Sequence, residues 1–211
     1  PQTITVTGIN DDIDDGNQAS TVTVSVVAAS SDDDFDNLAD QTVSVTTTDV
    51  DTAGLTISKE EVLVTEGGTE DTFTVALAAK PTSNVVIDVS SSDTDEATVS
   101  PAQLTFTPGN WNTAQDVVVT GIDDSAVDGN QSSVISLAVV DASSADEYDS
   151  VASGSVTATT TDNDSAGMGT TPISSSTAEG GTTTFTVVLN TQPSSDVVVS
   201  ATSSATAEAT L

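Results

Sequence analysis

Acidic residues recur at a fixed spacing along this chain, in segments that also contain glycine and asparagine. Clustered carboxylates can bind a divalent cation, and Ca²⁺ takes about six to eight oxygen ligands. Without a cation, several carboxylates held close together would repel one another. The acids that match at an offset of 113 residues are Asp11 and Asp124, Asp15 and Asp128, Asp49 and Asp162, and Asp51 and Asp164.

Turn formation is the simpler explanation for any one of these loops. Asp and Asn are common in turns because their side chains hydrogen-bond the local backbone. Three acidic loops that recur together favour metal binding over solvated turns. Mg²⁺ fits less well than Ca²⁺, because it prefers a tight octahedral shell that keeps several waters.

The overall composition narrows the chemistry further. The chain has 33 acidic residues, only two basic ones and a formal net charge of −31. This charge excludes nucleic acid as a partner, because phosphate binding needs a basic face. The chain has no Cys and no His, so thiol nucleophiles, thiolate zinc sites and imidazole bases are absent. Paired carboxylates can hydrolyse glycosides, but acids that recur with each repeat fit ion binding better, and we expect no enzyme.

Alternating apolar residues predict an all-β fold. Phe73, Val75 and Leu77 alternate with polar or small residues, and such a period of two is typical of half-buried antiparallel strands. Acidic, aromatic-poor chains often stay disordered, but 36% hydrophobic residues in such runs indicate a folded protein. No run of about 18 apolar residues occurs, so we expect no membrane insertion. The same pattern recurs at residues 85–89, 104–106, 117–119, 135–139 and 156–158.

The repeat divides the chain into three parts. Residues 55–167 form one complete unit (the central unit), with seven or eight predicted strands, enough for a β-sandwich. Residues 1–54 (the first segment) match the C-terminal half of a preceding unit, with Ile4 and Val6 predicted as a strand. Residues 168–211 (the last segment) match the N-terminal part of a following unit. We therefore predict tandem sandwiches arranged like beads on a string.

A family resemblance follows from motifs that occur in a fixed order within the central unit. The ordered set resembles the Calx-beta domain, the calcium-binding sandwich of sodium–calcium exchangers and many giant bacterial surface proteins. The resemblance implies an immunoglobulin-like antiparallel sandwich with calcium at one pole, beside the linker to the following domain. The motifs are Glu66-Gly67-Gly68-Thr69, Leu104-Thr105-Phe106-Thr107-Pro108-Gly109, Ile122-Asp123-Asp124 with Asp128, and Thr161-Asp162-Asn163-Asp164-Ser165-Ala166-Gly167.

The resemblance also implies a set of calcium ligands. Two departures from the family pattern, at Gly129-Asn130-Gln131 and at Val50 or Asn163 inside the closing acidic triplet, reduce the charge available and predict one or two ions per pole. In the central unit the implied ligands are Glu66, Asp93, Asp123, Asp124, Asp128, Asp162 and Asp164. In the first segment they are Asn10, Asp11, Asp15, Asp49 and Asp51.

Three functional hypotheses follow. The leading one is a calcium-stiffened extender repeat of a large extracellular bacterial surface, adhesin or matrix-fibre protein, with neighbouring repeats as its partners. The second is a filament subunit whose half-domains, at residues 1–54 and 168–211, are completed by identical subunits. The third is an adhesive module that binds carbohydrate through Trp111, although such a residue more often covers its own core. Phe35 and Tyr148 match across copies, and we predict that both pack into the core or against loops.

Overall fold

β-Strands form most of the regular structure in residues 1–171 and 177–210, which are the residues that the computed structural model describes. Short 3₁₀ turns lie at Ala28–Ser30, Asp33–Phe35, Asp141–Ser143 and Asp146–Tyr148. Within these two ranges no helix is long and apolar enough to cross a membrane. The strands are β1 Gln18–Val24, β2 Gln41–Thr47, β3 Leu55–Ile57, β4 Glu61–Thr65, β5 Glu70–Leu77, β6 Val85–Ser91, β7 Ala97–Ser100, β8 Gln103–Phe106, β9 Gln115–Gly121, β10 Gln131–Val139, β11 Gly154–Thr161, β12 Met168–Thr170 and β13 Val187–Leu189.

Strands β3 to β11 form two sheets that enclose one hydrophobic core. One sheet has the order β4-β11-β10-β6-β8 and the other the order β3-β5-β9-β7. Alternate side chains of a strand point to opposite faces, and this places Phe73 and Val75 of one sheet against Ile135 and Leu137 of the other, all fully buried. The predicted all-β fold, a largely antiparallel sandwich of the immunoglobulin-like type, is confirmed.

Two details of the strand prediction are wrong. The central unit has nine strands rather than seven or eight, because β3, β4 and β7 were not predicted. β4 also runs parallel to β11, with Glu61 opposite Thr157 and Thr65 opposite Thr161. Parallel neighbours need a long connection, and here almost the whole unit lies between them. This pair sets the geometry of the acidic loops described below.

Aromatic residues at equivalent positions have different environments. Tyr148 is fully buried, and its hydroxyl donates a hydrogen bond to the carbonyl oxygen of Ala79 at 2.5 Å. Its counterpart Phe35 is 55% exposed, so the predicted packing is confirmed for Tyr148 and wrong for Phe35, which has no complete sandwich around it. Trp111 is half-buried and packs against the core, as expected for a residue that covers the core edge.

The first and last segments each form a small two-stranded sheet. β1 pairs with β2, and β12 pairs with β13. No strand forms in residues 1–17, so the strand predicted at Ile4 and Val6 is wrong. Its counterpart β9 lies between β5 and β7, whereas no strand in the described residues pairs with residues 1–7. Residues 172–176 and Leu211, which belong to the predicted last segment, lie outside the described residues.

Equivalent backbone contacts join both end segments to the central unit. The N–H of Lys80 donates to the carbonyl of Asp12 at 2.6 Å, and the N–H of Gln192 donates to the carbonyl of Ser125 at 2.7 Å. Asp12 and Ser125 are 113 residues apart, and Lys80 and Gln192 are 112 apart, as the repeat requires. Each contact therefore uses the residue that follows a predicted calcium ligand, Asp11 or Asp124.

Candidate metal centre

The parallel pair of β4 and β11 brings two acidic segments to the same end of the sandwich. Glu66 follows the last residue of β4, and Asp162 follows the last residue of β11. Since Thr65 and Thr161 are partners in the ladder, the acids that come directly after them lie side by side. Glu66, Asp162 and Asp164 form a group whose carboxylate oxygens lie within 4.8 Å of one another.

Glu66 is unusually deep for an ionisable residue, with only 4% of its surface exposed. Its Oε2 accepts one hydrogen bond, from the N–H of Asn163 at 3.2 Å. Burial raises the pKa of Glu66, the Asn163 N–H opposes this rise, and the charges of Asp124, Asp162 and Asp164 add to it. A buried charge is unfavourable unless it is paired, so this carboxylate favours a cation beside it.

Asp162 and Asp164 have opposite electrostatic environments. The N–H groups of Asp164 and Gly129 donate to the Asp162 carboxylate at 2.7 and 2.8 Å, and these bonds lower the pKa of Asp162. Burial raises the pKa of Asp164, and the nearby charges of Asp162 and Asp123 raise it further. The Oδ2 atom of Asp164 is buried and has no hydrogen-bond partner among the described residues. A cation ligated by that oxygen would satisfy it.

A second acidic group lies next to the first. Glu96, Asp124 and Asp128 place carboxylate oxygens within 4.8 Å of one another. Burial raises the pKa of Glu96, and the charges of Asp128, Asp93, Asp124 and Glu66 raise it further. Because the charge of Glu66 raises the pKa of Glu96, and that of Asp124 raises the pKa of Glu66, the two groups are close enough to influence each other. We call this set of six residues the acidic pole: Glu66, Asp162, Asp164, Glu96, Asp124 and Asp128.

Glu96 is the one member of the acidic pole that the sequence analysis did not predict. It directly precedes β7, so that short strand delivers it to the same pole as the acidic loops. The repeat carried a signal for it, because Glu208 occupies the equivalent position 112 residues later. The resemblance pointed instead to Asp93, three residues earlier.

Two predicted ligands lie outside these two groups. Asp93 is exposed, and its Oδ1 accepts from the N–H of Asp95 at 3.1 Å. Asp123 is also exposed, and its Oδ1 accepts from the amide of Asn163 at 3.4 Å. Both carboxylates are near enough to influence the acidic pole, since Asp93 raises the pKa of Glu96 and Asp123 raises that of Asp164. Their ligand roles stay predictions.

The predicted ligands of the first segment share a cleft of about 280 Å³. Asn10, Asp11, Asp15, Asp49 and Asp51 all line it. Burial raises the pKa of Asp51, and the nearby charge of Asp49 raises it further. Among the described residues, however, no three carboxylates of this segment approach one another as they do in the acidic pole. Each central group contains a glutamate, Glu66 or Glu96, from the half of the unit that residues 1–54 do not represent.

The acidic pole has no basic side chain to balance it. Lys59 pairs with Asp71 at 2.5 Å, which is the only salt bridge in the described residues. Lys80 is the only other basic residue of the chain. The oxygen ligands that the pole offers are hard donors of the kind that Ca²⁺ prefers. The arrangement can therefore bind divalent cations, and it fits the calcium implied by the resemblance.

Comparison with known proteins gives only distant likenesses. No protein-family model matches the chain, and no curated protein matches it. Among solved structures, the chain is similar to the apo-form Calx CBD1 domain, at 15% identity and a TM-score of 0.41, over 54% of this chain and 100% of that domain.

Two further likenesses are to the ASH/PapD-like domain of human CEP192 and to the E. coli chaperone DraB. The first has 11% identity and a TM-score of 0.39, over 53% of this chain and 86% of that one. The second has 7% identity and a TM-score of 0.38, over 52% of this chain and 55% of that one, so this chain spans about half the length of DraB. Scores this low carry no argument about function, and the fold assignment rests on the strands and their pairing.

Proposed function

We propose that this chain is a calcium-stiffened structural repeat of a large extracellular surface, adhesin or matrix-fibre protein. The observation that carries the proposal is the group of Glu66, Asp162 and Asp164. Its glutamate is buried, a buried oxygen of Asp164 has no hydrogen-bond partner among the described residues, and no basic side chain pairs with the group. We propose a structural role rather than a catalytic one.

A bound cation would remove the main electrostatic cost of this fold. Burial and mutual repulsion raise the pKa values of Glu66, Glu96 and Asp164, which shows that their charged forms are disfavoured. Ca²⁺ would compensate several of these charges at once and use the free oxygen of Asp164. Two adjacent groups fit one or two ions.

The position of the acidic pole supports a stiffening role. Asp162 and Asp164 begin the segment that leads out of β11 toward β12. Asp124 accepts a hydrogen bond from the N–H of Ala126 at 2.6 Å, and the carbonyl of Ser125 between them accepts from Gln192. Ions held by the two groups, one at Asp162 and one at Asp124, would therefore fix both the outgoing chain and the loop that contacts the last segment.

Calcium availability favours an extracellular setting. Extracellular calcium modules have dissociation constants of about 10⁻⁴–10⁻³ M, so their sites are occupied only in calcium-rich surroundings. The net charge of −31 would also disfavour compaction unless cations offset it. A repeat that is loose without calcium and stiff with it suits a protein that extends away from a cell or forms a fibre.

Calcium titration tests the proposal. We expect calorimetric melting of the 211-residue chain to shift upward with calcium, and isothermal titration to give one or two ions for the acidic pole. At about one hundred times the dissociation constant a single site adds about 2.7 kcal/mol to the free energy of unfolding. Magnesium at the same concentration is the control and should shift the melting temperature less. Identical melting curves in calcium and in chelator would contradict the proposal.

A further inference from the structure

A cavity of about 470 Å³ lies where the first segment meets the central unit, and we call it the junction cavity. Its apolar wall comes from β3 and from the loop that leads into β11, where Leu55, Ile57 and Val151 are all half-buried. Small-molecule sites typically have volumes of about 300–1,000 Å³. The junction cavity is therefore large enough for a small organic group.

Two carboxylates from distant parts of the chain also line the junction cavity. Asp14 belongs to the first segment, and Glu147 belongs to a 3₁₀ turn of the central unit. The N–H of Ala53 donates to Oδ2 of Asp14 at 2.8 Å, and the N–H of Thr82 donates to Oε1 of Glu147 at 2.6 Å. These bonds hold both carboxylates in place, and no salt bridge among the described residues neutralises either of them.

Both carboxylates act on the same buried phenol. Burial raises the pKa of Tyr148, and the charges of Glu147 and Asp14 raise it further. The two negative charges are thus concentrated at one place in the fold. A positive charge in the junction cavity would be attracted by both of them.

The junction cavity does not depend on the missing half of the first segment's sandwich. Its wall on one side belongs to the central unit, which is complete. On the other side, the counterpart of Asp14 in the central unit is Val127, and Val127 is 46% exposed although its own sandwich is complete. A complete sandwich around residues 1–54 would therefore leave Asp14 accessible.

The chemistry of the walls favours an organic cation over a metal ion. Asp14 and Glu147 belong to no group of three close carboxylates in the described residues, and an apolar wall cannot supply the oxygen ligands that Ca²⁺ needs. A basic group on an apolar stem fits both parts, since such stems pack along apolar surface while the charge stays in a polar environment. Neither Lys59 nor Lys80, the only basic residues of the chain, lines the cavity, so the cation would come from another molecule.

We propose that the junction cavity binds an organic cation, an ammonium or guanidinium group carried on an apolar stem. Asp14 and Glu147 pair with the charge, while Leu55, Ile57 and Val151 cover the stem. A free amine and a lysine or arginine side chain of a partner protein offer the same chemistry. Because both units of the junction form the cavity, the bound group contacts both of them. This site goes beyond the proposed calcium role and uses no residue of the acidic pole.

Butylguanidinium is the probe, and N-butylurea is its neutral counterpart of similar shape. Titrations followed by amide NMR in about 0.15 M salt reduce the general attraction of cations to the acidic chain, because distant charges are screened. We expect saturable shifts of the amide signals of Ala53 and Thr82, whose N–H groups contact the two carboxylates. N-butylurea should bind about tenfold more weakly, because it lacks the charge.

Conservative substitutions separate the charges from the fold. In D14N/E147Q the side-chain oxygens can still accept from Ala53 and Thr82, but both negative charges are lost. We expect butylguanidinium to bind this variant about tenfold more weakly. The matched control is D88N/D116N, which removes two exposed carboxylates outside the cavity and should bind the probe as the unaltered chain does. Equal weakening of the two variants would indicate non-specific attraction and overturn the proposal.

A152W tests the cavity while both charges remain. Ala152 lines the junction cavity and is exposed, so a large side chain at this position can fill the cavity without entering the core. We expect A152W to show no saturable binding of butylguanidinium. Unchanged binding in A152W, or equal binding of butylguanidinium and N-butylurea to the unaltered chain, would overturn the proposal.

A short blocked peptide with one arginine distinguishes the two sources of the cation. It presents the same guanidinium group in the form that a partner protein would present it. Tighter binding of the peptide than of butylguanidinium supports the site and identifies a protein side chain as its occupant. Weaker binding of the peptide supports the site for a free amine. If neither probe binds saturably, the junction cavity is not a cation site.

Discussion

The acidic loops of the first segment and of the central unit adopt the same local geometry. Gly129 donates to Asp162 at 2.8 Å, and Gly16 donates to Asp49 at 2.7 Å. Both glycines have positive φ, 76° and 70°, a conformation that other residues rarely adopt. The local sequence therefore determines the loop, whether or not a complete sandwich stands beside it.

The two regions differ in what reaches the loop from elsewhere in the fold. In the central unit, β4 delivers Glu66 and the start of β7 delivers Glu96, and each completes a group of three carboxylates. Residues 1–54 match only the half of the repeat that carries the aspartate loops, and both glutamates belong to the other half. The comparison teaches that the aspartate loops prepare a site, and that a glutamate from a distant strand completes it.

The largest expected effect comes from removing the buried glutamate. In E66Q we expect the part of the calcium-dependent rise in melting temperature that comes from the ion at Glu66 to disappear, a loss of about 2.7 kcal/mol near saturation, or roughly 10 °C. In chelator the same variant should melt at or above the unaltered temperature, because a buried uncompensated charge has been removed. Calorimetry with and without calcium measures both.

The matched control for this variant is E179Q. Glu179 occupies the same Glu-Gly-Gly-Thr motif in the last segment but is exposed. Its melting curve should match that of the unaltered chain under both conditions. If E66Q and E179Q behave alike, burial next to Asp162 and Asp164 is not what makes the site.

D162A and D49A should lower the stability by a smaller amount than E66Q lowers it in calcium, and they should differ from each other in calcium binding. Each substitution removes a carboxylate that accepts two backbone hydrogen bonds, and we expect about 1–2 kcal/mol for those bonds. D162A should also lose calcium affinity in isothermal titration, whereas D49A should leave the ion count of the central unit unchanged. Equal losses of calcium binding would show that the first segment also holds a complete site.

E96Q should reduce the calcium-dependent rise in melting temperature roughly half as much as E66Q does. Glu96 is more exposed than Glu66, so its attraction to the ion is weaker. Its cluster partners Asp124 and Asp128 are exposed. Isothermal titration should then show one ion fewer or weaker, with the ion at Glu66 retained. Loss of all calcium binding in E96Q would mean that the two groups act as a single site.

The smallest expected effect is on the pH dependence of stability, whose direction should reverse when calcium is added. The pKa values of Glu66, Glu96 and Asp164 are raised in the folded state, so their ionisation favours the unfolded state. Without metal, stability should rise as the pH falls from neutral through these raised values, and this gain is complete below the ordinary values of 4.5 for Glu and 3.8 for Asp. Asp162 has a lowered pKa, so its contribution is lost only in stronger acid.

With calcium the slope should be the opposite, because protons compete with the ion for the same carboxylates. Melting temperatures measured between pH 7 and about pH 5, in chelator and in calcium, give both slopes. Parallel slopes would show that the raised carboxyl groups do not contact the ion.

The sequence predicted the long strands and most of the acidic pole, for identifiable reasons. β5, β6, β9 and β10 have seven or more residues, enough for an alternating pattern to be detected. β3 has three residues, which is too short to show a period. β7 and β8 both have four residues, but the alternating pair Ala97 and Val99 of β7 is a weaker apolar signal than Leu104 and Phe106 of β8. The parallel pairing of β4 with β11 is a long-range contact that no local pattern encodes, although it decides where Glu66 lies.

The local sequence pattern also could not predict which of the alternating side chains are buried. Val24 and Leu137 occupy equivalent alternating positions, yet only Leu137 is enclosed, because enclosure depends on the opposite sheet. Glu96 was missed since nothing in its own segment marks it as a ligand. Only its recurrence as Glu208, combined with the position of β7, connects it to the acidic pole.

The parallel neighbours β4 and β11 also determine how the central unit would respond to tension. β4 begins at one end of the sandwich and β11 finishes at the other, so pulling their outer ends apart slides the strands along each other. All the hydrogen bonds between them then resist together, in shear, instead of opening one after another. An ion shared by Glu66 and Asp162 would hold the two strands together at the end where the chain leaves β11. A series of such units would transmit force without lengthening.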